Sequence, residues 1–219
     1  MFTNTKLVSG LVSKIRNVEK QTLEALAARR VEQEPAVTDR LLGVMEQTLN
    51  DQNIGGITWT AKTLTDRGRG SQEAKFGADF MAVFRVSIPG FEVAKGFMAQ
   101  SKLLEPSDNF SRSDSKALRQ QCERMLKFSP ASYAFVYSQQ KGIVVVPAVE
   151  VLAARDCNPH ELTSLPMSEF YRQHFECFIG DRSIKTADPG GLEGLRAQAD
   201  ARSVFLLNGG PQAQGQGTS

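Results

Sequence analysis

Cysteine and histidine are scarce in this chain: three cysteines, Cys122, Cys157 and Cys177, and two histidines, His160 and His174. The cysteines are odd in number and widely spaced, with no C-x-x-C pair, which argues against a disulfide framework and against a zinc site. Two histidines are too few for a histidine-rich metal centre. Long hydrophobic runs are missing as well. No apolar stretch approaches the roughly 20 residues needed to cross a bilayer. The N-terminal residues 1–17 lack the sustained apolar centre and cleavage-like end of a secretory leader. The expectation is a cytoplasmic chain with no membrane partner. Charge of one sign is lacking too: the net charge is +2, so any nucleic-acid-binding surface must be local rather than global.

What is present is ordinary soluble composition, 41% hydrophobic and 23% charged over 219 residues, enough for one domain with a sizeable core plus extensions. The chain is organised around residues 73–102. Two apolar runs of strand composition, 78–88 and 93–104, flank Pro89-Gly90, a turn-forming pair. Such a hairpin brings Asp79, at the start of its first strand, to the same end as Gln100 and Lys102, near the end of its second. Residues two apart share a strand face, so Gln100 and Lys102 point the same way. A carboxylate, an amide oxygen and an ammonium then converge. The two oxygens are hard ligands suited to Mg²⁺ that keeps several waters. The lysine is suited to position or deprotonate an attacking water, or to offset phosphate charge. A buried lysine paired with an aspartate is the structural explanation for the same spacing.

The pattern Glu73-x5-Asp79, hairpin, Gln100-x-Lys102 resembles the active-site signature of the PD-(D/E)XK nuclease superfamily, in its Mrr-like variant where glutamine replaces the second acid. The chain departs from the name-giving motif at Gly77-Ala78-Asp79, where the family has Pro-Asp, and at Gln100, and both departures occur in that variant. The resemblance covers residues 34–147. It implies a restriction-endonuclease-like α/β fold, a central mixed β-sheet flanked by helices. It also implies a Mg²⁺-dependent endonuclease acting on double-stranded DNA in restriction or anti-phage defence. In similar proteins a glutamate recurs at the position of Glu73, and the helix before the core often carries a glutamate facing the metal. Glu34 is the candidate here, with Glu32 and Asp39 as substitutes; an acid at a helix start is also favoured by the helix dipole alone. The implied metal set is Asp79, Gln100 and Glu34. The helix after the Q-x-K strand carries a glutamine near the site in similar nucleases, which points to Gln121, or to Gln120 if the register is shifted.

Around this centre, apolar spacing predicts an amphipathic helix over 5–31, which either packs on the following domain or forms a homo-oligomer. A second helix is expected over 35–49. The alternating stretch 57–65 reads as a half-buried strand beside the hairpin, with Trp59 as core. The glycine-rich link 66–72 carries Arg67 and Arg69, with Lys75 close behind. Glycines admit a close backbone approach and the cations neutralise phosphates, so this is the expected DNA contact, a solvated loop being the plain alternative. A helix is expected over 114–127, capped by Ser113 or Asp114, and Arg112, Lys116, Arg119, Arg124 and Lys127 form a basic set over the same region, either a phosphate track or a solvated face. Strands at 132–138 and 142–147 complete the sheet, and helices are expected at 148–155, 167–178 and 192–202. His174 reads as structural. The domain reading is 1–33 as an N-terminal helix, 34–180 as the nuclease-like domain and 181–219 as an extension whose end, 208–219, is a disordered tail. Two other function classes stay open: a non-catalytic nucleic-acid-binding or interaction module, and an RNA-cleaving effector controlled by a defence-system partner.

Overall fold

Residues 5–65, 77–154, 156–186 and 191–211 are described by a computed structural model. Eight strands form one mixed sheet: β1 (Gln52–Ile54), β2 (Ile57–Thr65), β3 (Ala78–Ile88), β4 (Phe91–Leu103), β5 (Ser132–Ser138), β6 (Gly142–Pro147), β7 (Leu165–Pro166) and β8 (Ala201–Gly210). Their spatial order is β1-β2-β8-β3-β4-β5-β6-β7. The helices are α1 (Thr5–Ala27), α2 (Glu34–Leu49), α3 (Arg112–Phe128), α4 (Ala148–Ala153), α5 (Met167–Phe175) and α6 (Leu192–Gln198). Strands β3 and β4 form the expected antiparallel hairpin, and Gly90, at φ 77°, supplies the left-handed residue that the turn needs.

Alternation along the strands separates two apolar layers. Phe80, Phe84, Phe97 and Phe135 pack against α1, α2 and α5 on one face, while Met81, Val83, Met98 and Val204 pack against α3, α4 and α6 on the other. Met81, Val83 and Phe97 are all interior, Phe97 on the first face and the other two on the second. Helix α1 buries Leu7, Leu11, Ile15 and Val18 within the same chain, so its apolar stripe is consumed by the fold and is not left for a second copy.

The sheet departs from expectation on one side. Strand β2 does not lie beside the hairpin, because β8 runs between them, antiparallel to β2 and parallel to β3. Residues read as an extension thus supply a central strand, and Asn208, Gly209 and Gly210, read as the start of a disordered tail, are its last three residues. Local pattern hid this strand: Val204–Leu207 is a short apolar run between helix-like sequence and a Gly/Gln tail. Gly209 is needed where it stands, since a Cβ there would come 2.8 Å from the buried Trp59 ring. Trp59 is core, stacked on Phe84 with centroids 5.9 Å apart.

Where the short outer strands β1 and β7 stop, side chains take over some of the outward N–H groups of β2 and β6. Asn50 Oδ1 and Glu46 Oε2 accept the outward N–H groups of Ala61 and Thr63 at 3.0 and 2.8 Å, and Glu19 Oε1 accepts that of Ile143 at 2.9 Å. Strand addition at these positions is blocked. Among the described residues no helix is long and apolar enough to cross a membrane, and all three cysteines are free.

Candidate active site

Three elements meet at one end of the hairpin. Asp79 opens β3, Gln100 and Lys102 lie near the end of β4, and Glu34 begins α2. Asp79 Oδ2 accepts the side-chain N–H of Gln100 and the backbone N–H of Ser101, the latter at 2.8 Å. Lys102 Nζ donates to Glu34 Oε1 at 3.1 Å, and Leu103 N donates to Glu34 Oε2 at 3.1 Å. The acid, amide and amine of the hairpin therefore converge, and Glu34 joins them rather than Glu32 or Asp39.

Helix α2 reaches this corner because a polar cluster ties it to the sheet. Thr38, one turn after Glu34, bonds Glu34 O at 3.0 Å and Ser101 Oγ at 2.8 Å and lies 3.3 Å from Tyr137 OH. Ser101 lies between Gln100 and Lys102 in sequence, so its side chain takes the opposite face and meets α2 there. The cluster is fully buried, which makes each of its bonds costly to leave unmade. Tyr137 is pushed well above the usual phenol range by burial, against the bonds to Ser101 and Thr38.

Burial first, and then the nearby Glu34 charge, raise the Asp79 carboxyl to about 6, against the opposing pull of the Ser101 N–H, Arg202 and Lys102. Gln100 is 2% exposed, whereas the Lys102 and Glu34 side chains are 19% and 27% exposed, so solvent reaches the site at the Lys102–Glu34 pair. No cluster of three or more His, Cys, Asp or Glu side chains suited to a metal occurs among the described residues. Asp79 and Glu34 supply two carboxylates, and the third oxygen would come from the Gln100 amide. An all-oxygen set of this kind fits Mg²⁺ completed by water and does not fit zinc.

Glu73, Arg67, Arg69 and Lys75 lie outside the described residues. Gln121 sits on α3 with its Oε1 buried and without a partner among the described residues. The next residue, Cys122, has its thiol pushed up to about 12 by burial, against the pull of the Lys102 charge, and packs in the layer on the sheet face that Met98 also shares. Gln120 faces outward instead, into a groove of about 390 Å³ shared with Arg112, Lys116 and Arg119. That groove also contains Glu123 and Asp156, and Arg112 lies 3.9 Å from Asp156, so the basic set is partly neutralised. The cap of α3 is Ser111 rather than Ser113 or Asp114; its Oγ accepts Asp114 N at 3.1 Å.

His174 is structural, as expected. It is 1% exposed, its ring lies 5.2 Å from that of Phe97, and burial, then the Lys95 charge, lower its pKa well below the usual value. Sequence reasoning missed Arg202, which stands beside Asp79 on β8. No local signal announces it, because only the pairing of β8 with β3 brings it there. Compared with known proteins, the chain matches no family model, no curated protein and no solved structure.

Proposed function

We propose that the protein is a metal-dependent endonuclease that hydrolyses phosphodiester bonds, with double-stranded DNA as substrate and restriction or anti-phage defence as its setting. The observation that carries this reading is the convergence of Asp79, Gln100, Lys102 and Glu34 at one end of the hairpin. Asp79, Glu34 and the Gln100 amide oxygen would hold Mg²⁺, which when bound stabilises charge on a phosphate oxygen and lowers the pKa of water.

The chain's own groups then have separable tasks. Asp79 must be ionised, which its raised pKa of about 6 sets as a condition on pH. Gln100 donates its amide nitrogen to Asp79 here, so presenting its oxygen requires the amide to turn over. Lys102, partly exposed and held by Glu34, is available to orient the attacking water and to offset charge on the phosphate. A second reading, nucleic-acid binding without cleavage, draws on the mutual pairing of these groups, Gln100 with Asp79 and Lys102 with Glu34.

The deciding experiment incubates supercoiled plasmid, and RNA in parallel, with the protein and Mg²⁺. Metal-dependent DNA cleavage that disappears in Lys102→Ala supports the proposal. Binding without cleavage supports the second reading, and preferential RNA cleavage moves the substrate to RNA.

A further inference from the structure

Arg202 borders the Asp79 carboxylate and has no place in the set of oxygen donors. In the parallel pairing of β3 with β8, Ala78 aligns with Ala201 and Phe80 with Ser203. Asp79 and Arg202 are therefore neighbours on adjacent strands and share a face of the sheet. The guanidinium is close enough to oppose the rise in the Asp79 pKa. Its side chain is only 14% exposed, yet its partners are few. Nη1 lies 2.9 Å from Asp39 Oδ1, Nη2 donates to Pro35 O at 3.4 Å, and Nε is buried with no partner among the described residues.

This is an incompletely satisfied cation. A buried structural arginine normally has its fork of donors filled, because an unpaired buried donor is costly. Asp39, the carboxylate paired with Arg202 among the described residues, is 50% exposed and so is weakly held and readily exchanged. A planar guanidinium with spare donors matches the tetrahedral oxygens of phosphate, and unlike lysine it can engage two of them together.

We infer that Arg202 is a phosphate-binding residue of this site, exchanging the exposed Asp39 carboxylate for a non-bridging phosphate oxygen of the substrate. The inference rests on the phosphodiester reading for the identity of that substrate. Asp39 then acts as a resident competitor, filling the guanidinium until phosphate arrives. It also makes the C-terminal strand part of the site, since Arg202 is the second residue of β8.

The test uses the full chain with inorganic phosphate as probe, in chelator so that no metal contributes, and follows phosphorus resonance broadening. Arg202→Gln is expected to weaken phosphate binding about tenfold, the scale of one charge-assisted bidentate contact. Asp39→Asn breaks the same ion pair but removes the competitor, so it is expected to strengthen binding. Opposite shifts distinguish a ligand site from a structural salt bridge, for which both variants would lower the melting temperature and leave phosphate affinity alone. Should Arg202→Gln fold poorly, Asp39→Asn still decides, because it keeps the arginine. Unchanged affinity in either variant, shifts in the same direction, or no phosphate binding by the unaltered protein overturns the inference. Cleavage assays separate it from the proposed activity. Phosphate held through Arg202 with no nucleic acid cut leaves the inference standing and removes the endonuclease; cleavage with phosphate binding indifferent to Arg202 does the reverse.

Discussion

Lys95 and Lys102 stand seven residues apart on β4 and so face opposite sides of the sheet. Lys95 is 2% exposed and its ammonium is held by two neutral acceptors, the carbonyls of His174 and Ile179 at the end of α5. Burial lowers its pKa to about 8. Lys102 instead meets a carboxylate, opens to solvent, and has a second carboxylate with a raised pKa nearby. A lysine held by carbonyls and beside the Cys177 thiol, with no carboxylate paired to it among the described residues, closes a helix end. A lysine set among acids at an open strand end has the ingredients of chemistry. Both residues lie on one strand, so a shared loss of folding can be separated from a loss confined to the site.

The largest effect expected is on Lys102. Its change to Ala should reduce cleavage by about a thousandfold or more, the scale of a lost charge-stabilising group, with the melting temperature nearly unchanged. Equal inactivation by Lys95→Met would break the contrast.

Asp79→Asn comes next, and should abolish cleavage while stabilising the fold. With the folded pKa raised to about 6 from 3.8, the native state holds its proton longer than the unfolded chain. Stability of the metal-free protein therefore falls as pH rises between those values. The variant should flatten that slope and gain about 2 kcal/mol at neutral pH. Denaturant titrations across this range check the sign, and in the unaltered protein cleavage should rise through the same window.

Lys95→Met should cost about 1–3 kcal/mol, because two buried carbonyls lose their donor, and should leave the chemical step intact. Its pH signature runs the other way. A folded pKa of about 8, below the usual 10.5, means that the unfolded chain binds the proton more readily in between. Stability contributed by this group should rise with pH across that interval, and the variant should lose the rise. Thr38→Val is the mildest change, about 1 kcal/mol from the polar cluster beneath α2, with a several-fold loss of cleavage as Glu34 loosens. Thr38 ties α2 to the Lys102 end of the strand through Ser101, so this variant sharpens the contrast.

The sequence made the hairpin legible because its evidence is local: two strand-like runs about Pro89-Gly90 place Asp79, Gln100 and Lys102 by counting alone. Glu34 was reached through a family resemblance, and its docking depends on Thr38, Ser101 and Tyr137, whose types say nothing of their meeting. Strand β8 and Arg202 were illegible for a related reason. Val204–Leu207 is too short a run to declare a central strand, and its neighbours in the sheet lie more than a hundred residues away in the chain. The α3 boundary was missed by two residues because Ser111, Ser113 and Asp114 are all good caps, and hydrogen-bond geometry, not residue type, selected Ser111.

The most direct measurement sets Lys102→Ala and Lys95→Met side by side in a Mg²⁺-dependent plasmid cleavage assay, at a pH above the Asp79 titration, with folding checked by thermal melting. Cleavage lost in the first and kept in the second, with the stability loss confined to the second, is the predicted result. Cleavage that persists in Lys102→Ala, or that neither the variants nor the unaltered protein display, contradicts the account.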